Sequence, residues 1–186
     1  KGITVHLHRP NVPPPLNYLF MRDLVFMTPE GAILARPASP IRAAEARFAQ
    51  AALANAGVPI LEMIHGQATL EGADCLWTSP QSVLIGTGTR TNKQGVRALE
   101  RLLHDMGVQV HTVALPPGVQ HLLGVVLIVD CDLAVVDADR VTPSIKLALS
   151  DQGISTLDIP TSRESRERRA MNGVVLGPRE VVIPAG

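Results

Sequence analysis

Aromatic residues are scarce in this 186-residue chain: one tryptophan, one tyrosine and three phenylalanines. Valine, leucine, isoleucine and alanine are plentiful, so the core is expected to be aliphatic, and the length allows one domain with a substantial core. Net charge is missing as well. Seventeen basic and seventeen acidic side chains balance, which argues against a nucleic-acid or membrane partner held by electrostatics. The one basic concentration, residues 163–169 (RESRERR), is interleaved with acids and reads as a solvated helix or loop. No apolar stretch approaches the ~18 residues of a membrane span. Only two cysteines occur, Cys75 and Cys131, without metal-ligand spacing or a disulfide framework. No secretory leader is recognisable, although the abrupt start leaves the native N-terminus open. A cytoplasmic protein is the expectation.

What the chain does carry is a repeat. Residues 24–36 (LVFMTPEGAILAR), 75–87 (CLWTSPQSVLIGT), 125–137 (VVLIVDCDLAVVD) and 174–186 (VVLGPREVVIPAG) each read as an apolar run, a turn and a second apolar run. That pattern predicts a hairpin. Their turn residues Pro29, Pro80, Asp130 and Pro178 lie about 50 residues apart, and six residues before each stand Asp23, Asp74, Gly124 and Asn172. Repeated units sharing one core bring equivalent positions to one end of the assembly. Two carboxylates, an amide and a nearby histidine are therefore expected to converge.

Between hairpins the apolar period changes from two to about 3.6. Residues 39–57 open with Ser39 as a cap and Pro40 at the first helical position, and stop at a glycine. Residues 91–107 repeat the plan with Asn92 as cap, and residues 142–153 do so with Thr142 and Pro143. A short β-like run follows each helix, at 58–61, 108–113 and 154–159. The unit is hairpin, helix, strand. Residues 3–7 (ITVHL) look like the closing strand of an earlier unit, and both ends look cut. One domain over 1–186 is expected, with modules near 1–7, 24–61, 75–113, 125–159 and 174–186. Five such units in a closed ring would need roughly 250 residues.

Polar residues gather just ahead of the hairpins. They are Asn17 through Asp23, Glu71-Gly72-Ala73-Asp74 with Arg90-Thr91-Asn92 after its hairpin, His121-Leu122-Leu123-Gly124, and Ala170-Met171-Asn172. Taken singly, each is explained by duty as a turn, a cap or an ion-pair partner. Their common register is what independent structural uses do not explain. No metal site is expected: His6 and His8 alternate on the predicted first strand without a third ligand. Nor is a phosphate loop, since Gly86-Thr87-Gly88 lacks the lysine and spacing of one. No cofactor is called for.

These motifs resemble the guanidine-modifying (pentein) superfamily of arginine deiminases, dimethylarginine dimethylaminohydrolases and amidinotransferases. The family's F-x-R-D element is matched by Phe20-Met21-Arg22-Asp23, preceded by Asn17. Its E-G-G-D element is matched by Glu71-Gly72-Ala73-Asp74, with alanine for the second glycine. Arg90-Thr91-Asn92 matches R-T-N, and His121-Leu122-Leu123 matches H-L-x. The resemblance runs through essentially the whole chain. It implies an α/β fold, a five-bladed propeller of ββαβ modules with the site on its axis, here incomplete at both ends.

The resemblance also implies roles. His121 shuttles protons and Glu71 orients it. Asp23, with Asp74, holds a guanidinium, whose planar N–H groups match carboxylates in pairs. Phe20 offers a ring face to the cation, and Asn17 is a further substrate-binding residue. Arg90 and Arg42 match the arginines that grip a substrate α-carboxylate, Arg42 having solvation at a helix start as its other explanation. In the family a cysteine thiolate attacks the guanidinium carbon. Extending the repeat puts that cysteine at about position 222; Cys75 is expected to be buried in a strand, and Cys131 to sit at a hairpin tip away from the rim.

One departure bears on substrate. Deiminases and amidinotransferases usually carry aspartate two residues after the histidine, where this chain has Leu123. An apolar side chain suits an N-alkyl group, as in the dimethylarginine hydrolases. The expectation is a C–N hydrolase acting on an arginine-like, N-substituted guanidine to give a citrulline-like product through a covalent cysteine intermediate. The alternatives are an amidinotransferase and a non-catalytic binding protein of the same fold. The partner expected is a small guanidino substrate, with homo-oligomerisation left open.

Overall fold

The computed structural model of the chain describes residues 2–163 and 171–183. The first module opens with a single helical turn, α1 (Met21–Leu24), and the hairpin β1 (Val25–Thr28) and β2 (Gly31–Leu34). A 3-10 turn over Pro40–Glu45 then leads into α2 (Ala46–Asn55) and β3 (Ile60–Met63). In the second, a turn at Gly72–Asp74 precedes β4 (Cys75–Ser79) and β5 (Ser82–Thr87), then α3 (Lys93–Asp105) and β6 (Gln109–Ala114). The third has a turn at Leu122–Gly124, β7 (Val126–Asp130), β8 (Leu133–Asp137), α4 (Pro143–Ser150) and β9 (Ser155–Ile159). A fourth hairpin follows, β10 (Val174–Gly177) and β11 (Glu180–Val182).

Each module is a three-stranded sheet of one design. The hairpin strands pair antiparallel, and the strand after the helix returns parallel to the second of them. A parallel neighbour needs a crossover connection, which the helix provides. Asn92 caps α3 by accepting from Gly95 N at 2.8 Å, and Thr142 caps α4 by accepting from Ile145 N. Ser39 makes no such bond. The chain there winds as a 3-10 turn, in which residues three apart eclipse, so Arg42 and Glu45 both turn inward and bond to each other at 2.8 Å.

The expected strand at residues 3–7 does not form. Ile3, Val5 and Leu7 are 51%, 83% and 73% exposed and pair with no strand among the described residues. Alternation alone does not hold a strand without a ladder partner. His6 and His8 therefore share no strand; the His8 ring instead meets Tyr18 edge-on at 6.0 Å. Residues 164–169 of the basic run, Ala170 of the last polar segment and the fourth hairpin's final three positions, 184–186, lie outside the described residues.

The core lies between modules. Phe26, Ile33 and Leu70 of the first side pack on Val83, Ile85, Leu99 and Leu103 of the second. Leu76 and Leu84 continue onto Leu122, Val126, Val136, Ile145 and Leu149 of the third. Each such side chain contributes about 1.5–3 kcal/mol on burial. Two glycines set how closely the modules approach. A Cβ on Gly72 would stand 2.3 Å from Val25 O and 2.4 Å from Arg22 O; one on Gly95 would stand 1.9 Å from Thr69 O. Only glycine permits such backbone contact, and both contacts flank Glu71.

Candidate active site

The turns that open the modules touch one another: α1 meets Gly72–Asp74, which meets Leu122–Gly124. At this rim Asp23, Glu71 and His121 converge from three modules, all buried. His121 Nε2 lies 2.8 Å from Glu71 Oε2. Arg42 donates through Nη1 to Asp23 Oδ2 at 2.7 Å and to Glu71 Oε2 at 3.4 Å, and through Nε to Glu45 Oε2 at 2.8 Å. Its Nη2 reaches the Asn17 carbonyl at 3.3 Å. Arg90 Nη1 stands 3.6 Å from Glu71 Oε1, which also accepts from Ala38 N.

Burial works against ionising both Glu71 and His121, but their partners outweigh it. Glu71 titrates below its ordinary value because of the His121 bond, the charges of His121 and Arg90, and the Ala38 amide. His121 titrates above its own because of the Glu71 bond and the charges of Asp74, Asp23 and Glu71. Glu71 is thus a carboxylate, an acceptor only, so Nε2 of His121 carries the proton. Nδ1 has no hydrogen-bond partner among the described residues and is the ring atom left to exchange protons.

Two cavities meet at Phe20, Asp23 and Gln120. One, of about 270 Å³, is lined also by Asn17, Ser39, Ile41, Arg42 and Arg90. The other, of about 390 Å³, takes in His121, Ala73, Leu123, Arg140 and Asn172. Asn17, Phe20, Asp23, Arg42, Arg90 and His121 therefore all line this space, and buried Glu71 contacts three of them, Arg42, Arg90 and His121. Arg42 is not solvated: its side chain is 6% exposed among three carboxylates. Asp74 lines neither cavity. It is fully buried, accepts from Thr91 Oγ1 at 2.6 Å and from Leu122 N at 3.0 Å, and burial pushes it up to about 6.

The two thiols lie elsewhere. Cys75 is buried in β4, and that burial, with Asp74 beside it, pushes its thiol well above the ordinary range. Cys131 is exposed at a hairpin tip. Arg140 escaped the motif reading although it stands 50 residues after Arg90 in the same repeat. It donates to Asp137 Oδ2 at 3.0 Å and to the Gly124 carbonyl at 2.6 Å, at the wall of the larger cavity. One donor atom from each of Asp23, Glu71 and His121 lies within 4.8 Å of the others, a spacing compatible with a metal ion. The cation between the two carboxylates here is the guanidinium of Arg42.

Residues 4–174 match the arginine deiminase family. An uncharacterized protein of Aeropyrum pernix is 29% identical over 157 residues, covering 83% of this chain and 53% of that one. A putative hydrolase of Homo sapiens, DDAH2, is 29% identical over 102 residues, 55% of this chain and 35% of that one. The chain thus spans about half or less of the length of these curated relatives. Among solved structures, DDAH from Pseudomonas aeruginosa, a mutant complexed with citrulline, superposes with a TM-score of 0.74 at 24% identity, over 91% of this chain and 62% of that one. The amidinotransferase SxtG from Microseira wollei gives 0.71 at 18%, over 87% and 55%. The N-terminal domain of the cyanobacterial arginine dihydrolase ArgZ, bound to substrate, gives 0.72 at 14%, over 86% and 59%. The propeller-type α/β fold of ββαβ modules expected from the sequence is the fold found.

Proposed function

Because this chain belongs to the arginine deiminase family, we propose that its site binds the guanidinium of an arginine-like, N-substituted substrate for hydrolysis of a C–N bond to a citrulline-like product. One observation carries the reading: Asp23 and Glu71, with His121 beside them, already clasp a guanidinium, that of Arg42. A planar cation with paired N–H donors is what this arrangement of carboxylates recognises. Asp23 would hold the substrate's guanidinium and Phe20 would flank it. Arg90, on the smaller cavity with Asn17, would meet its carboxylate, while Arg42, whose donors are taken by Asp23, Glu45, Glu71 and the Asn17 carbonyl, would orient Asp23. Leu123, buried on the larger cavity, would face an alkyl group on the guanidinium nitrogen.

The central carbon of a guanidinium is a poor electrophile, so the reaction needs a thiolate and a protonated leaving amine. The thiolate adds to that carbon. As the C–N bond breaks, the imidazolium of His121 gives its Nδ1 proton to the departing amine, leaving an amidino group on sulfur. Water then adds to this intermediate, His121 takes a proton back, and the C–S bond breaks to release the ureido product and the thiolate. Glu71 holds Nε2–H throughout. Neither Cys75 nor Cys131 lies at His121, so the thiolate is assigned to a later hairpin of the same period, at about position 222. No cofactor enters this scheme.

The test is turnover of arginine and of its N-methylated forms by the protein at its native length, with citrulline and released amine as readouts. Faster turnover of the methylated substrate is expected. Equal or better turnover of free arginine overturns the substrate assignment, and amidino transfer to an added amine overturns the hydrolase reading.

A further inference from the structure

We propose that Asp74 and Thr91 act as a positioning pair, tying the backbone of Glu71 to that of His121 and so setting the hydrogen bond between those side chains. The inference rests on the reading of Glu71 and His121 as the proton-handling pair. The tie is a continuous chain of hydrogen bonds that converges on the Asp74 carboxylate from both sides. Glu71 N donates to Thr91 Oγ1 at 3.2 Å. The same hydroxyl donates to Asp74 Oδ2 at 2.6 Å. Leu122 N, the amide following His121, donates to Asp74 Oδ1 at 3.0 Å. A carboxylate is needed at the centre, because both of its neighbours are donors.

Nothing about this arrangement suits contact with substrate. Glu71, Asp74, Thr91 and Leu122 are each 0% exposed, and Asp74 lines neither cavity. A buried charge away from solvent is costly unless its partners hold it. Here those partners belong to the two segments that bring Glu71 and His121 together. Thr91 is itself fixed, since Asn92 caps α3 and accepts from Thr69 N at 3.1 Å while Asn92 N donates to Thr69 O at 3.1 Å. The frame of α3 is thereby transmitted through one hydroxyl and one carboxylate to the histidine loop. The charged groups about His121 are Glu71, Asp74 and Asp23, with Arg42 on the same Glu71 oxygen as His121 and Arg90 on the other. Burial raises Asp74 while His121, Thr91 and Leu122 draw it back, which couples its charge to the imidazole.

Thr91→Val decides the matter, because it removes one hydroxyl and alters no charge. The readouts are the His121 ring titration and its Nε2–H resonance by NMR. Asp74→Asn is measured beside it, with Thr91→Ser as the conservative rescue. Thr78→Val is the control: Thr78 is another buried threonine, bonded to Ser82 and Gln152 away from the site. Thr91→Val is expected to lower the His121 pKa by about half a unit to one unit and to weaken or abolish the downfield Nε2–H signal. Asp74→Asn is expected to do so more strongly, Thr91→Ser to behave as wild type, and Thr78→Val to lower the unfolding midpoint without moving the titration. Should Asp74→Asn not fold, the threonine series alone gives the answer. A wild-type titration and Nε2–H signal in folded Thr91→Val would overturn the proposal, as would an equal shift in Thr78→Val. Absence of turnover at native length, with the Thr91 effects intact, would count against the proposed reaction and leave the tie standing.

Discussion

At the rim of the site Arg42 lies 2.7 Å from Asp23, their side chains 6% and 11% exposed. At the opposite end of the repeat, Arg179 of the fourth hairpin lies 2.9 Å from Asp130 of the third, with 63% of its side chain exposed. The distances are nearly equal, so separation does not rank the two pairs. Surroundings do. The tip pair is solvated and screened, and such pairs do little for stability. The rim pair belongs to a cluster with Glu45 and Glu71 from which water is largely excluded, where removing one partner strands the others. The tips also join through Trp77 Nε1 to Met27 O at 2.9 Å and Arg179 N to Val129 O at 2.8 Å, around an apolar groove. The rim thus buries its charges, while the tips leave theirs in solvent beside an apolar groove.

The sharpest way to break that contrast is to remove the cation at each end. Arg42→Leu is expected to cost about 3–5 kcal/mol of unfolding free energy, since Asp23, Glu45 and Glu71 are left as an unbalanced buried set. Arg179→Ala, by contrast, is expected to leave the denaturation midpoint unresolved from wild type. Gly72→Ala comes next. Its new methyl group would overlap the carbonyls of Arg22 and Val25, at about 1–3 kcal/mol, and would displace Glu71 enough to lower the His121 pKa in an NMR titration.

The pH dependence of stability sharpens the comparison further. The raised pKa of His121 means its contribution is full below 6.5 and lost as pH rises through the folded value. Glu71 has the opposite sign: its contribution is present above 4.5 and lost as pH falls through its lowered value. Asp74, raised from 3.8 to about 6, favours the protonated form, so stability declines as pH climbs through that window. His121→Gln is therefore expected to flatten the alkaline decline above pH 6.5 in urea-unfolding free energies; an unchanged decline would remove His121 as its source. The smallest effect is chemical. Cys131 should react promptly with a thiol reagent in the folded protein, and Cys75 only after unfolding.

The period of about 50 residues made the modules legible, because it repeats both the hairpin turn and the polar residue ahead of it. From it followed the meeting of Asp23 and His121 and the place of Asn172 on the same cavity. Arg140 was equally accessible through its 50-residue spacing from Arg90, but lies outside the short motifs that drew attention. Residues 3–7 read as a strand because alternation is a local property, whereas a strand needs a partner. Ser39 read as a cap because capping signals ignore where the next turn must point. Here the pull of Asp23 and Glu71 on Arg42 accompanies a tighter winding.

The sequence by itself determined the order of hairpin, helix and strand, the aliphatic character of the core, and which residues could share a rim. Those are consequences of periodicity and composition, which each stretch of chain carries alone. Only the tertiary structure decided what each polar residue does there. It placed Asp74 behind the cavity, Arg42 among three carboxylates, and the proton of His121 on Nε2. Burial and hydrogen-bond partners set charge and direction, and both come from segments distant in the chain.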